Sequence, residues 1–160
     1  IYYNMKNTGR PIPESNAGED YKSNYIDVPN TPLFVFGHGL SYTSFQYSDL
    51  KLSSNQMTFS NSIIASVKIT NSGNMDGYEI VQLYIHDKVG SVTRPVKELK
   101  GFQKIFLKKG ESKVVTFTIS VEDLKFYNSE MTYGVESGEF EIAIAPNSDF
   151  KFKHIFNLND

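Results

Sequence analysis

The sequence contains no cysteine and no tryptophan. Without cysteine, disulfide bonds, thiolate metal ligands and a cysteine nucleophile are excluded. Phenylalanine and tyrosine are therefore the only aromatic residues available to a core, and they make up 14% of the chain. No apolar run approaches the roughly 20 residues that a membrane-spanning helix needs. A core built from this chain must depend on Phe, Tyr and aliphatic side chains.

The sequence also lacks a large excess of either positive or negative charge. The chain has 16 Lys and Arg against 18 Asp and Glu, which gives a net charge of −2. Partners such as nucleic acid or anionic membranes select clustered Lys and Arg, and pairs such as Lys108-Lys109 are typical of solvated turns. The composition therefore indicates neither a nucleic-acid nor a membrane partner. A length of 160 residues suits one domain with an extension.

Residues 1–39 differ from the rest of the chain. They hold four of the six prolines and show neither helical nor alternating periodicity, so we expect an irregular, extended linker. Large apolar side chains in this segment need a surface to dock on, either a stacked sugar or a further domain; they are Tyr2, Tyr3, Tyr21, Tyr25 and Ile26. The chain opens on Ile1 rather than Met, and we expect it to be part of a longer polypeptide.

Residues 40–160 carry short stretches of alternating apolar and polar residues. The two clearest stretches span residues 63–70 and 139–144. Period-two alternation of this kind is typical of half-buried strands. The one helical pattern is a single turn at residues 122–124, with Ser120 as its cap. Short strands separated by turn residues predict an all-β fold, an antiparallel β-sandwich of the immunoglobulin-like or fibronectin III-like kind.

The stretch from residue 94 to residue 121 predicts a long hairpin. Pro95 gives a rigid entry, residues 108–111 form a turn, and alternating apolar residues follow it. Gly101 interrupts the alternation, and we weigh a β-bulge equally against an ordinary strand at this point. The final strand is predicted to run from Phe150 to Leu158.

Candidate catalytic acids occur in pairs, as glycosidase chemistry would require. Glu139 and Glu141 share a strand face, while Glu122 and Asp123 begin the helical turn. Acids on an outer strand face are normally solvated, and acids at a helix start favour the helix dipole. We therefore expect both pairs to be structural, and no acid to have a pKa raised by burial.

Histidines offer no better candidate. His38 lies between two glycines and is expected in a turn, and His154 is expected as a half-buried strand residue. The chain has no G-x-S-x-G, H-E-x-x-H, phosphate-loop or EF-hand pattern. The prediction is that this chain contains no catalytic, cofactor-binding or metal-binding residue, and that it needs no cofactor.

Four segments, in order, resemble the fibronectin type III-like C-terminal domain of family 3 glycoside hydrolases. They read FGHGLSYTSFQY, VKITNSGNMDGYEIVQLYI, RPVKELKGFQKI, and EDLKFYN followed by SGEFEIAIAPNS. The opening IYYNMKNTGRP resembles the segment by which such enzymes leave their second catalytic domain. The resemblance therefore extends over nearly the whole chain and favours residues 1–39 as a tether to a catalytic domain.

The resemblance implies a function for the parent rather than for this segment. In the family the nucleophilic Asp and the acid/base Glu lie upstream of the matched segments, so neither maps to a residue here. The parent would be a periplasmic or secreted bacterial retaining exo-β-glycosidase, foremost a β-glucosidase acting on terminal β-linked sugars. This chain would stabilise and orient its catalytic domains, with residues 87–95 as the loop nearest the active-site mouth. The alternative is an autonomous carbohydrate-binding or immunoglobulin-like interaction module.

Overall fold

The computed structural model describes residues 31–160, which form ten strands and one 3-10 turn. The strands, in chain order, are β1 Phe45–Leu52, β2 Gln56–Thr58, β3 Ile63–Asn71, β4 Gly77–Asp87, β5 Glu98–Leu107, β6 Ser112–Ile119, β7 Phe126–Tyr127, β8 Tyr133–Gly134, β9 Gly138–Ala145 and β10 His154–Asn159. The 3-10 turn spans Val121–Leu124. The docking expected for the five large side chains between Tyr2 and Ile26 lies outside the described residues.

Two principal sheets face each other. One has three strands in the order β1-β3-β6, and the other has five in the order β2-β10-β9-β4-β5. The pairs are antiparallel apart from β2 and β10, which run parallel, and β7 and β8 form a small separate pair. This arrangement confirms the predicted all-β sandwich.

The core fills the space between the inner faces of the two sheets. Its alternating residues are almost fully buried; they include Ile63, Ala65, Val67, Ile69, Val81, Leu83, Ile85, Val115, Phe117, Phe140, Ile142 and Phe156. The rings of Phe140 and Phe156 stack at 5.4 Å between centroids. The period-two pattern of the sequence thus places one side of each strand in the core, as expected for a sandwich.

The predicted hairpin is wrong in its pairing. Strands β5 and β6 do follow one another through a tight turn, but β5 pairs with β4 and β6 pairs with β3. The chain therefore crosses from one sheet to the other after Leu107, and the two strands face each other across the core. Phe117 of β6 lies 3.4 Å from the position a Cβ at Gly101 would take, so the glycine leaves room for the ring.

Of the two alternatives weighed at Gly101, the structure has the β-bulge. Leu83 of β4 pairs with Gly101, but the next residue, Tyr84, pairs with Leu99, so Lys100 is the extra residue of β5. A bulge of this kind shifts the facing of the residues on either side of it. It accounts for the change of parity along β5 that the sequence shows.

Part of the outer face of the five-stranded sheet is covered by the chain itself. Gln82 and Tyr84 point outward from β4 yet are buried, because neighbouring segments lie over them. The Gln82 amide donates to the carbonyls of Gly37 at 3.1 Å and Pro146 at 2.5 Å, and the Tyr84 hydroxyl donates to Gln82 Oε1 at 2.6 Å. Two separate segments are thereby held on this face.

The final strand is shorter than predicted. It begins at His154, and Phe150 and Phe152 precede it. Their rings lie 5.1 Å from Tyr84 and 5.8 Å from His86, so they serve as part of the cover. Alternating aromatic residues that cover a sheet resemble a strand in sequence, which explains the error.

Candidate functional site

A cavity of about 410 Å³ lies beside β4 and β5, next to several exposed aromatic residues. Residues 37–41 form one wall, Asn147 contributes to another, and Tyr78, Ile80 and Phe102 lie along the strands. The strands place these three side chains together because Tyr78 and Ile80 share the outward parity of Gln82, which pairs with Phe102. A sandwich with a filled core thus has a recess on its outer surface.

Aromatic rings dominate one end of this surface. Tyr78 and Phe106 are cross-strand partners with centroids 5.0 Å apart and an interplanar angle of 57°. The ammonium of Lys104 lies 4.6 Å from the Tyr78 centroid, a cation–π contact. The two rings are not coplanar and Lys104 occupies one face of Tyr78, so they do not form a flat stacking platform for a sugar.

Glu79 is the acidic residue beside the cavity, but its carboxylate points away from the cavity toward the opposite sheet. It accepts a hydrogen bond of 2.8 Å from the Tyr47 hydroxyl on β1, which belongs to the opposite sheet. Burial raises the pKa of Glu79, while the bond from Tyr47 lowers it; burial and the Glu79 charge raise the pKa of Tyr47. The expectation that burial raises the pKa of no acid is therefore wrong here.

Glu79→Gln should stabilise the chain more at neutral pH than at a pH near 4.3, which is about the pKa of a Glu side chain in the unfolded chain. Because burial raises the folded pKa, the favourable contribution of Glu79 is fully present below the unfolded value of about 4.3 and is lost as pH rises through the folded value. Gln keeps an acceptor for Tyr47 and removes the charge. Urea unfolding of both proteins at the two pH values measures the difference.

The matched control for this change is Glu130→Gln, because Glu130 is exposed in a turn. Its substitution should change the free energy of unfolding by less than about 0.5 kcal/mol. A Glu79→Gln effect that is independent of pH, or one that grows toward acid, would contradict the assignment of a raised pKa.

The loop of residues 87–95 is tied down at both ends. Asp87 accepts from Val89 N–H at 3.2 Å, and Arg94 pairs with Glu98 at 2.8 Å with its guanidinium 4.3 Å from the Phe126 centroid. Burial raises the pKa of Asp87, and the Val89 bond and the Arg94 charge oppose it. Within residues 31–160, Arg94 Nε is buried without a hydrogen-bond partner. The nearby charge of Glu136 also raises the pKa of Asp87. Glu136 accepts hydrogen bonds from the backbone N–H of Ser91 at 2.9 Å and from its hydroxyl at 2.5 Å.

Both acidic pairs have structural contacts. Glu139 forms an ion pair with Lys88. Glu141 Oε2 lies 2.8 Å from His86 Nδ1, which is within hydrogen-bond distance. Asp123 accepts from the backbone N–H and the hydroxyl of Ser120 at 2.8 and 2.7 Å, while Glu122 is largely exposed beside Lys125. None of these four acids lines the cavity. That no residue is catalytic stays a prediction.

The candidate histidines His38 and His154 do not take part in a metal-binding group within the described residues. His38 is exposed in a turn closed by its N–H and the Val35 carbonyl, and His154 is half-buried at the start of β10. Residues 31–160 contain no group of three or more His, Asp or Glu placed to hold a metal ion. The same residues contain no helix long and apolar enough to cross a membrane.

The cavity and its aromatic end were not identified from the sequence. The signal was present in the parity of Phe102 and Phe106, which is opposite to that of the core residues Ile105 and Leu107. Large apolar residues on the outward face of a strand indicate a covered or interacting surface. Their neighbours across the recess, at residues 37–41, could not be located without the fold.

Comparison with known proteins gives a consistent result. Residues 79–148 match the family model of the fibronectin type III-like domain. The chain is 47% identical over 148 residues to a periplasmic β-glucosidase of Salmonella typhimurium, a match that covers 92% of this chain and 19% of the relative. It is 41% identical to a β-xylosidase of Formosa agariphila, with 79% of this chain and 18% of the relative covered.

A solved structure agrees over its whole matched region. The crystal structure of a β-glucosidase from Listeria innocua superposes with a TM-score of 0.88 at 37% identity, covering 99% of this chain and 22% of that one. The chain thus spans about a fifth of the length of the relatives it matches.

Proposed function

The chain belongs to the fibronectin type III-like domains of family 3 glycoside hydrolases, and we propose that its parent is a retaining exo-β-glycosidase, foremost a β-glucosidase. In that parent this chain is the non-catalytic C-terminal module. The observation that carries the proposal is the agreement in sequence and fold with one fifth of several β-glucosidases and a β-xylosidase.

The acids of the described residues support a non-catalytic role. A retaining mechanism needs two carboxyl groups roughly 5–5.5 Å apart across a sugar pocket. Glu139 and Glu141 instead pair with Lys88 and His86, and Glu79 is held by Tyr47 from the opposite sheet. The nucleophile and the acid/base of the parent would then lie outside this chain, and no residue here would bind a cofactor or metal.

The module's contribution would be mechanical. We propose that residues 40–160 form the sandwich and that residues 1–39 link it to the catalytic domains, whose relative position it stabilises. A β-linked glycoside or oligosaccharide would be the substrate of those domains. A periplasmic or secreted location for the parent is favoured by the Salmonella relative, which is a periplasmic enzyme.

The test compares the 160-residue chain with the full-length parent on aryl β-glucoside and β-xyloside substrates. The chain should give no turnover above buffer, and the parent should release the aryl group. Turnover by the chain that survives repurification and is lost when Glu139 or Glu141 becomes Gln would refute a non-catalytic module. A parent inactive on all β-glycosides would refute the proposed activity.

A glycan titration of the 160-residue chain examines the alternative of an autonomous carbohydrate-binding module. We expect no saturable binding of a β-glucan oligosaccharide. Saturable binding that is lost on replacing Tyr2, Tyr3 or Tyr25 with Ala would instead favour the binding module.

A further inference from the structure

We propose that the outward side chains of Tyr78, Ile80, Phe102 and Phe106, here called the β4–β5 face, are covered in the parent by an apolar surface of its catalytic part. The inference rests on the proposed function and adds to it the surface that makes the contact. Its evidence is the exposure of these residues, the character of the opposite face, and the course of the chain beside them.

The four side chains are unusually exposed for their type. The exposed fractions are 58% for Tyr78, 40% for Ile80, 66% for Phe102 and 45% for Phe106. They are contiguous on the sheet. Tyr78 pairs with Phe106, Gln82 pairs with Phe102, and Ile80 lies between Tyr78 and Gln82 on the same side of β4. Contiguous exposed apolar residues on a soluble domain mark a site of interaction.

The outer face of the three-stranded sheet provides the contrast. Its outward positions on β3 and β6 are mostly Ser, Thr and Lys; they are Ile64, Ser66, Lys68, Thr70, Ser112, Val114, Thr116 and Thr118. Such a face is suited to water. The apolar character of the β4–β5 face is therefore specific to one side of the sandwich rather than general to this chain.

On the rest of the outer face of the five-stranded sheet, neighbouring segments of the chain cover the outward side chains of β4. Gln82, Tyr84 and His86 lie on the same outward side of β4, and they are covered by Gly37, Pro146, Phe150 and Phe152. The cover ends at Ile80 and Tyr78. The β4–β5 face is thus the continuation of a surface whose other half is already buried.

The course of the chain favours a cover from the same polypeptide. Residues 37–41 line the recess beside Tyr78 and Phe102, and Leu40 and Tyr42 are 93% and 94% exposed next to it. Residues 31–36 lead into this wall, and two of them, Leu33 and Phe34, are also exposed, at 90% and 68%. Relatives carry about four-fifths of their length outside the matched region, since 19% of the Salmonella relative is covered. That length supplies a surface large enough to cover the face.

Charge further limits the occupant. The cation on this face is Lys104, which lies over Tyr78, and Glu79 points to the opposite side toward Tyr47. A complementary surface would be apolar, with a carboxylate or carbonyl groups opposite Lys104. The tilt of the Tyr78 and Phe106 rings disfavours a stacked sugar as the occupant.

Hydroxyl-radical footprinting of the 160-residue chain and of the full-length parent tests the contact. Oxidation of Tyr78 and Phe102 should fall about fivefold or more in the parent. Tyr127 and Tyr133, which are 59% and 52% exposed on the separate β7–β8 pair, give the comparison. Equal oxidation of Tyr78 and Phe102 in both polypeptides would overturn the inference.

A pair of matched variants gives a second readout in the parent. Phe102→Lys should separate the module from the catalytic part, so that calorimetry shows two thermal transitions where the unaltered parent shows one. Val114→Lys is the control, since Val114 is 60% exposed on the opposite outer face, and it should leave one transition. Identical unfolding of the two variants would overturn the inference, as would self-association of the 160-residue chain that Phe102→Lys abolishes.

Failure of this inference differs from failure of the proposed function. An active parent whose β4–β5 face is as exposed as in the 160-residue chain overturns only the docking surface. A parent that protects the face but hydrolyses no β-glycoside supports the surface and overturns the proposed activity.

Discussion

Leu83→Ala should lower the free energy of unfolding by about 2–5 kcal/mol, through the loss of buried apolar area and the cavity left behind. Leu83 is 3% exposed in the middle of β4 and pairs with Gly101 on one side and Ile144 on the other. Gly101 has no side chain that could fill the space, so relaxation would have to come from Phe117 across the core or from Ile144 on β9. Urea unfolding of the 160-residue chain measures the change.

Ile80→Ala is the control for this substitution because it also truncates an aliphatic side chain of β4. Ile80 is on the outer face and 40% exposed, so its loss should cost less than about 1 kcal/mol in the 160-residue chain. Equal effects at Leu83 and Ile80 would mean that the inner face of β4 does not form the centre of the core.

Local periodicity made much of the fold predictable. Strand β3 alternates cleanly because one face meets the core and the other meets water. Strand β9 alternates only as far as Ile142, because the residues after it are all buried. Leu83 and Phe117 follow the same rule, since both point inward and both are buried. A period-two pattern specifies which face is buried, and a single strand contains that information.

Pairing was not predictable in the same way. Strands β5 and β6 have the same alternation whether they bond edge to edge or face each other across a core. What decides between the two is the set of partners on β4 and β3, which are distant in sequence. Gly101 follows its partner Leu83 by 18 residues, and Phe117 follows its partner Ala65 by 52. The sequence predicted the turn between the strands correctly and their neighbours incorrectly.

The candidate site depended on still more distant contacts. The pKa of Glu79 is raised by burial beneath a sheet that it does not belong to, and its partner Tyr47 is 32 residues away. Gln82 and Tyr84 lie on the outer side of β4, and distant segments cover them. Gln82 contacts Gly37 and Pro146, and Tyr84 contacts Phe150. Loop segments that lie over the outer face of a sheet leave no periodic pattern in the sequence. The recess beside those segments therefore could not be predicted.

Asn71 illustrates such a long-range contact within the core. It is fully buried, and its amide donates to the carbonyls of Met75 at 2.8 Å and Leu107 at 3.1 Å. Its side-chain oxygen accepts from the Thr43 hydroxyl at 2.6 Å and from Gly73 N–H at 3.2 Å. One side chain therefore joins the entry to β1, the turn after β3 and the end of β5.

Asn71→Asp should destabilise the chain by about 3–5 kcal/mol at neutral pH, because it leaves a buried charge without compensation. The substitution keeps the shape and the accepting oxygen but replaces the amide that two carbonyls need. Two carbonyl oxygens would then face a carboxylate oxygen. Urea unfolding at neutral pH measures the loss, and failure to fold would be the extreme of the same result.

The pH dependence identifies charge as the cause. Burial should raise the folded pKa of the introduced Asp, so the penalty should grow as pH rises above the unfolded value of about 3.9 and shrink below it, where both states are protonated. Asn61→Asp is the matched control, because Asn61 is exposed and its oxygen accepts from Thr58 N–H at 2.9 Å. It should change stability by less than about 0.5 kcal/mol. Equal losses at the two positions, or a loss at Asn71 that ignores pH, would show that the buried amide does not join these three segments.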